Sequence, residues 1–290
     1  MTGRVRVRVP ASTANLGPGF DALGLALALY DEVEVTPMSS GLRVEVHGEG
    51  AGQVPTDEEH LVVRALRAAC VRLGCRPGGL LLRCHNSIPH SRGLGSSAAA
   101  AVAGVLAGYA LAGREPDGAA LDLAAGFDGH ADNAGASLLG GLVISWRDEG
   151  CFQATRLEPH PDLAPVLLVP ERPSATAVTR GLLPADVPHT DAAFTAGRAA
   201  LLVHALTAAP RLLLAATEDR LHQPYRRSAY PATGRLVDAL RVARVPAAIS
   251  GAGPAVLALP AGDGLPTGVD TAGFTRYRLD VARDGAAVEW

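Results

Sequence analysis

The densest chemistry in this chain lies in the run Pro89-His90-Ser91-Arg92-Gly93-Leu94-Gly95-Ser96-Ser97-Ala98-Ala99. Two glycines let the backbone approach a ligand closely, and they lead straight into a run of very small residues that reads as a helix beginning at Ser96. The unpaired N–H groups and the positive dipole end at such a start make an anion site, worth roughly half a unit of charge. The Ser96 and Ser97 hydroxyls add a phosphate hydrogen bond or a metal ligand. All 26 basic residues are arginine, so no lysine exists in the chain. That excludes a G-x-x-x-x-G-K-[ST] phosphate loop and any lysine Schiff base. The run from Gly93 to Ala98 also matches the dinucleotide pattern G-x-G-x-x-[GA], with Asp117 near its acidic position. That pattern belongs directly after a buried strand, whereas Pro89 to Gly93 intervene after Ile88 and Asp117 falls in a loop. A glycine–serine helix start with no ligand is the bland alternative.

The elements that position this loop can be read from periodicity. Residues 4–9 alternate Arg and Val as a half-buried strand does, and 24–36 read as strand interrupted near Tyr30-Asp31. Strands are expected over 42–47, 79–84, 141–146 and 166–169, and near 275–280. Two short strands should flank Ser250–Pro254. Helical spacing covers 60–73, 96–112, 118–127, 175–183, 192–207, 211–219 and 233–242. The stretch 150–165, rich in Pro and Asp, reads as loop. A strand-rich first half and a helix-rich second half give an α+β protein of two domains, divided at 155/156.

At 290 residues the chain can bury a large core, yet aromatics are only 4%, so Ala, Val and Leu must build it. A net charge of −3 offers no field for nucleic acid. Cys70, Cys75, Cys84 and Cys151 form no C-x-x-C pair and have no zinc spacing. The N-terminal MTGRVRVRVP carries no apolar signal segment, and the apolar run 98–112 is too short to span a bilayer. A reducing, cytoplasmic setting without membrane or nucleic-acid partners is expected.

The segment Pro89–Ala99 resembles the P-x-x-x-G-L-G-S-S-A-A signature of the GHMP kinase superfamily. Ile249-Ser250-Gly251-Ala252-Gly253-Pro254 is similar to that family's third motif, and Pro10–Asp21 to its first motif in the homoserine kinase branch. Gly129-His130-Ala131-Asp132-Asn133 with Gly140-Gly141 resembles the same branch. The matches run from residue 10 to 259 in order. They imply an N-terminal ribosomal-S5-domain-2-like domain, a C-terminal ferredoxin-like α+β domain, and ATP with Mg²⁺ in the cleft between them. The implied acceptor is the L-homoserine hydroxyl, and a homodimer is common among relatives.

By this resemblance Pro89, Ser91, Arg92, Gly93, Leu94, Gly95, Ser96, Ser97 and Ala98 wrap the triphosphate. Ser97 and Asp128 would hold Mg²⁺; the family has a glutamate where Asp128 stands, and Asp122 is the alternative. Asp21 would pair with the substrate ammonium, and Arg180 and Arg226 with its carboxylate, for which the planar guanidinium fork is suited. Asn15, His130 and Asn133 would hydrogen-bond around the hydroxyl. Asp132 is the candidate base, the alternative being that the γ-phosphate takes the proton. His60, Leu61 and Val62 fall at the adenine pocket, where the family has an asparagine; His60 either contacts the base or caps the helix. Two rivals stand beside this reading: a mevalonate-type kinase and a non-catalytic ligand sensor.

Overall fold

In the computed structural model, which describes residues 3–171, 180–262 and 264–289, Val5, Val7 and Val9 face the core while Arg6 and Arg8 face outward. They begin β1 (Val5–Asn15), which runs antiparallel to the long β2 (Gly19–Met38). The interruption expected near Tyr30-Asp31 is a bulge inside one continuous strand. Pro10 pairs with Tyr30 but Ala11 pairs with Leu27. The extra residues bend β2, so its later part pairs with β4 (Gly79–Asn86) and its earlier part with β5 (Leu142–Asp148). β3 (Gly41–Gly48) lies parallel to β4, joined through α1 (Leu61–Leu73). The stretch expected as loop contains β6 (Cys151–Leu157), an edge strand on β5.

α2 (Ser96–Leu111) packs against α1, against α3 (Gly118–Ala125) and α4 (Asp132–Leu139), and against β1. A helix buried on every side cannot be amphipathic, and its Ala, Gly and Val composition meets that demand. The approach of α1 is set by Gly104, where a Cβ would stand 2.4 Å from the Val62 carbonyl oxygen.

A second, four-stranded antiparallel sheet follows, in the order β10 (Phe274–Arg278), β7 (Val166–Pro170), β9 (Val256–Ala258), β8 (Ala247–Ile249). It is accompanied by α5 (His189–Thr207), α6 (Leu213–Ala216), α7 (Gln223–Arg226) and α8 (Pro231–Val242). The helix expected over 175–183 falls mostly outside the described residues, and a single 3-10 turn spans Arg180–Leu182. The helix expected over 211–219 is a 3-10 turn, Pro210–Leu212, leading into α6. The chain then returns, and β11 (Ala287–Glu289) pairs with β1 in the first sheet. One core cluster joins the two sheets, containing Leu94 and Ala99 of the first part with Leu167 and Leu257 of the second. Among the described residues no helix is long and apolar enough to cross a membrane.

Candidate active site

The glycine loop and the start of α2 line a cavity of about 490 Å³ between the two sheets' loops. Gly95 occupies the N-cap position with φ 70°, a left-handed conformation. A Cβ there would stand 2.1 Å from Ser12 Oγ and 3.1 Å from Asn133 Oδ1, so only glycine fits. No side chain caps the helix. The N–H groups of Ser96, Ser97 and Ala98 precede the first helical bond, Ala99 N–H to Gly95 O at 2.8 Å. Ala98 thus offers its backbone only, its side chain being buried.

The loop is held from behind and above. Ser12 N–H donates to Leu94 O at 3.1 Å, and Ser12 Oγ lies 3.0 Å from Asn133 Oδ1. Ser250 Oγ lies 2.6 Å from Gly93 O and 2.8 Å from Thr13 Oγ1, and Ala255 N–H donates to Arg92 O at 3.1 Å. The turn before β9 is thereby welded to the glycine loop. On the strand side, Asp31 Oδ1 accepts the N–H groups of Ser87 and Ile88 at 2.7 and 2.9 Å, just before Pro89. Burial pushes the Asp31 carboxyl up to about 6, the two backbone bonds opposing it.

Ser97 donates to both Asp128 oxygens, at 3.2 and 3.0 Å, so the two oxygen donors meet at the helix start. Burial raises the Asp128 carboxyl above its ordinary value, while Ser97 and His130 oppose the shift. Asp122, the alternative metal ligand, instead accepts the Phe152 N–H at 2.8 Å and does not line the cavity.

Asn15, Leu16 and Asp21 have φ of 67°, 51° and 54°, an uncommon cluster of left-handed non-glycine residues. Asn15 fixes this turn: its Oδ1 accepts the Asp21 N–H at 2.9 Å and its Nδ2 donates to Gly251 O at 2.9 Å. The ligand atoms of Asp21, His130 and Asp132 all lie within 4.8 Å of one another, close enough for the three to face one cation. His130 Nδ1 is 2.7 Å from Asp132 Oδ1, which also accepts the Asn133 N–H at 2.7 Å. The Asp132 bond raises the His130 imidazole above its ordinary value, burial opposing.

Arg226 closes the cavity from α7, donating to Gly251 O at 3.0 Å and to His222 Nδ1 at 3.1 Å. The Arg180 side chain lies outside the described residues. At the other wall stand His60, Leu61 and Val62. His60 sits at the N-cap of α1, and its side chain makes no capping bond. Burial, then His90, lowers its basicity. Sequence reasoning missed Ser12, Asp31, His222 and Ser250, whose roles arise from contacts across the chain.

Residues 60–141 match the N-terminal domain of the GHMP kinases and residues 198–265 the GHMP kinases C-terminal domain. A homoserine kinase of Streptomyces coelicolor is 53% identical over 98% of this chain and 94% of its own. One of Mycolicibacterium smegmatis is 51% identical over 97% and 93%. The crystal structure of homoserine kinase from Cytophaga hutchinsonii superposes with a TM-score of 0.84 at 26% identity, covering 100% of this chain and 98% of that one. A mevalonate kinase shares the fold alone, with a TM-score of 0.68 at 14% identity over 96% and 99% of the two chains. The α+β, two-domain architecture expected from the motifs is the one these relatives have. The chain belongs to the homoserine kinase family of the GHMP kinases.

Proposed function

We propose that this chain transfers the γ-phosphoryl group of ATP to the side-chain hydroxyl of L-homoserine, giving O-phospho-L-homoserine on the route to threonine. The observation that carries the reading is one cavity lined by three devices: an uncapped helix start, the Ser97–Asp128 oxygen pair, and an acid cluster with a buried arginine. A triphosphate suits the first and a free amino acid the last. The N–H groups of Ser96 to Ala98 receive phosphate oxygens. Ser97 and Asp128, both hard oxygen donors, fit Mg²⁺, which supplies charge neutralisation to the triphosphate when bound. Asp21 takes the ammonium and Arg226 the carboxylate, with Arg180 assigned to the same group.

Phosphoryl transfer asks mainly for positioning, since its transition state is loose. The homoserine oxygen bonds to the γ-phosphorus as the bridge to the β-phosphate breaks, and the hydroxyl proton passes to a γ-phosphoryl oxygen. Asp132 Oδ1 already accepts from Asn133 and engages His130, which supports an orienting role over that of a base. Asn15, His130 and Asn133 set the acceptor oxygen. Leu61 and Val62 offer an apolar wall to the nucleobase beside His60. The free cysteines support a reducing, cytoplasmic setting.

ADP release should be followed with ATP·Mg²⁺ and L-homoserine, mevalonate, L-serine or L-threonine offered separately. Turnover with L-homoserine, or a strong preference for it, is expected. Turnover with mevalonate instead would move the chain to the mevalonate type, and ATP binding without any turnover would make it a ligand sensor.

A further inference from the structure

His222 sits at the N-cap of α7 with its side chain fully buried. It spans two parts of the site that the chain brings together from far apart. Its Nε2 is 2.7 Å from the Gly17 carbonyl in the left-handed turn of Asn15–Asp21, and its Nδ1 is 3.1 Å from Arg226 Nη1. Its ring stacks on Phe20, centroid to centroid 5.1 Å. A guanidinium is a donor only, so the nitrogen facing it must be the unprotonated one. Nε2 therefore carries the hydrogen and donates to Gly17 O, which fixes a neutral imidazole in one tautomer.

The groups around the ring agree. Asp219 Oδ2 stands 3.6 Å from Nε2, but it already accepts the N–H groups of His222 and Gln223, at 3.1 and 2.8 Å. Burial depresses the imidazole's basicity, and the Arg226 charge adds to that, with Asp219 and Asp21 opposing. An imidazolium would set an N–H against the Arg226 N–H and lose the contact. Gly251 O, which accepts from both Asn15 and Arg226, closes the same ring of contacts.

We infer that His222 is the positioning residue that registers the Asn15–Asp21 turn against Arg226, so that the groups for the substrate's ammonium and carboxylate are held at one spacing. This rests on the assignment of Arg226 to the carboxylate. It makes His222 a determinant of amino-acid binding while it touches no part of the nucleotide site.

The test compares His222→Ala, His222→Asn and Arg226→Ala in steady-state kinetics with L-homoserine and ATP, and reads the histidine tautomer of the unsubstituted protein by ¹H–¹⁵N NMR. His222→Ala should raise KM for L-homoserine about tenfold, the worth of a charge-assisted hydrogen bond, and leave KM for ATP nearly unchanged. His222→Asn places an amide oxygen where Nδ1 accepts but does not reach Gly17, so it should recover only part of that loss. The NMR spectrum should show Nε2–H with a bare Nδ1. An Nδ1–H tautomer, or equal rises in both KM values, would overturn the inference, and the NMR result stands even if the alanine variant does not fold. Arg226→Ala raising KM for L-homoserine while His222→Ala does not would remove His222 alone. Arg226→Ala without effect on that KM would instead overturn the carboxylate assignment beneath it.

Discussion

The Ser97 hydroxyl and the Asp128 carboxylate face each other at 3.0 Å across the start of α2, one from the helix and one from the turn after α3. The contact shows that a side chain as short as aspartate reaches the serine from this turn. Asp128→Ala and Ser97→Ala should each lower kcat about a hundredfold, the usual cost of removing one electrostatic partner of a transition state, and raise the Mg²⁺ concentration needed for half-activity. Asp122→Ala should lower the melting temperature through the lost Phe152 contact and leave the Mg²⁺ titration in place. A Mg²⁺ titration unchanged in Asp128→Ala but shifted in Asp122→Ala would exchange the two assignments.

Arg226→Ala should raise KM for L-homoserine by one to two orders of magnitude, from charge-assisted bonds worth about 1.5–3 kcal/mol. KM for ATP should change far less. Arg226→Lys should not restore binding, because one ammonium cannot bond Gly251 and His222 and still present a planar two-pronged fork to a carboxylate. Equal effects on both substrates would refute the role.

Asp31 links the stability of the fold to pH. Its carboxyl titrates near about 6 when folded, against an ordinary 3.8. The folded state therefore binds the proton more tightly, so this contribution is fully present below the ordinary value and is lost as pH rises through about 6. The tighter proton binding is worth about 3 kcal/mol at low pH. Asp31→Asn keeps an oxygen for Ser87 and Ile88 and cannot ionise. It should melt higher than the parent near pH 8 and no higher near pH 4, as thermal unfolding at a series of pH values would record. A parallel pH dependence in both proteins would show that Asp31 does not carry it.

Gly104→Ala sets helix propensity against packing. Alanine gains about 1 kcal/mol in a helix interior. The added carbon would meet the Val62 carbonyl oxygen at 2.4 Å and the Ala65 Cβ at 2.7 Å, both on α1. Overpacking of this kind costs about 1–3 kcal/mol, so net destabilisation is expected, with a lower melting temperature. KM for ATP should rise with it, because α1 begins with Leu61 and Val62 on the cavity wall. A higher melting temperature would mean that α1 withdraws without penalty.

The elements legible in the sequence were those whose pattern is local. α2 declared itself by small residues after paired glycines, and β1 by alternating Arg and Val. β6 did not, because its one short alternation, Phe152 and Ala154 between Cys151, Gln153 and Thr155, is hidden in a stretch whose Pro and Asp read as loop. β11 is three residues long and exists only through its pairing with β1. Of the residues that the family resemblance named, Ser97, Asp128, Asn133 and Arg226 line the cavity. Asp31 and Ser12 were not legible, since a carboxylate that accepts N–H groups 56 and 57 residues away has no local signature. His222 did leave one trace: it stands four residues before Arg226, the spacing that puts two side chains on one helical face.

The return of β11 to the first sheet bears on how the molecule is made. Ala287–Glu289 emerge from the ribosome after every strand of the second sheet, yet they cover the outer edge of β1 beside Arg6, Val7 and Arg8. Until then the nascent chain carries an open edge, the kind of surface on which unfinished proteins zip together. Arg4, Arg6 and Arg8 stand at every second residue along it. They already have Glu34 and Glu32 beside them on β2, which is made long before β11. The last three paired residues of the chain, rather than charge, are therefore what removes this edge.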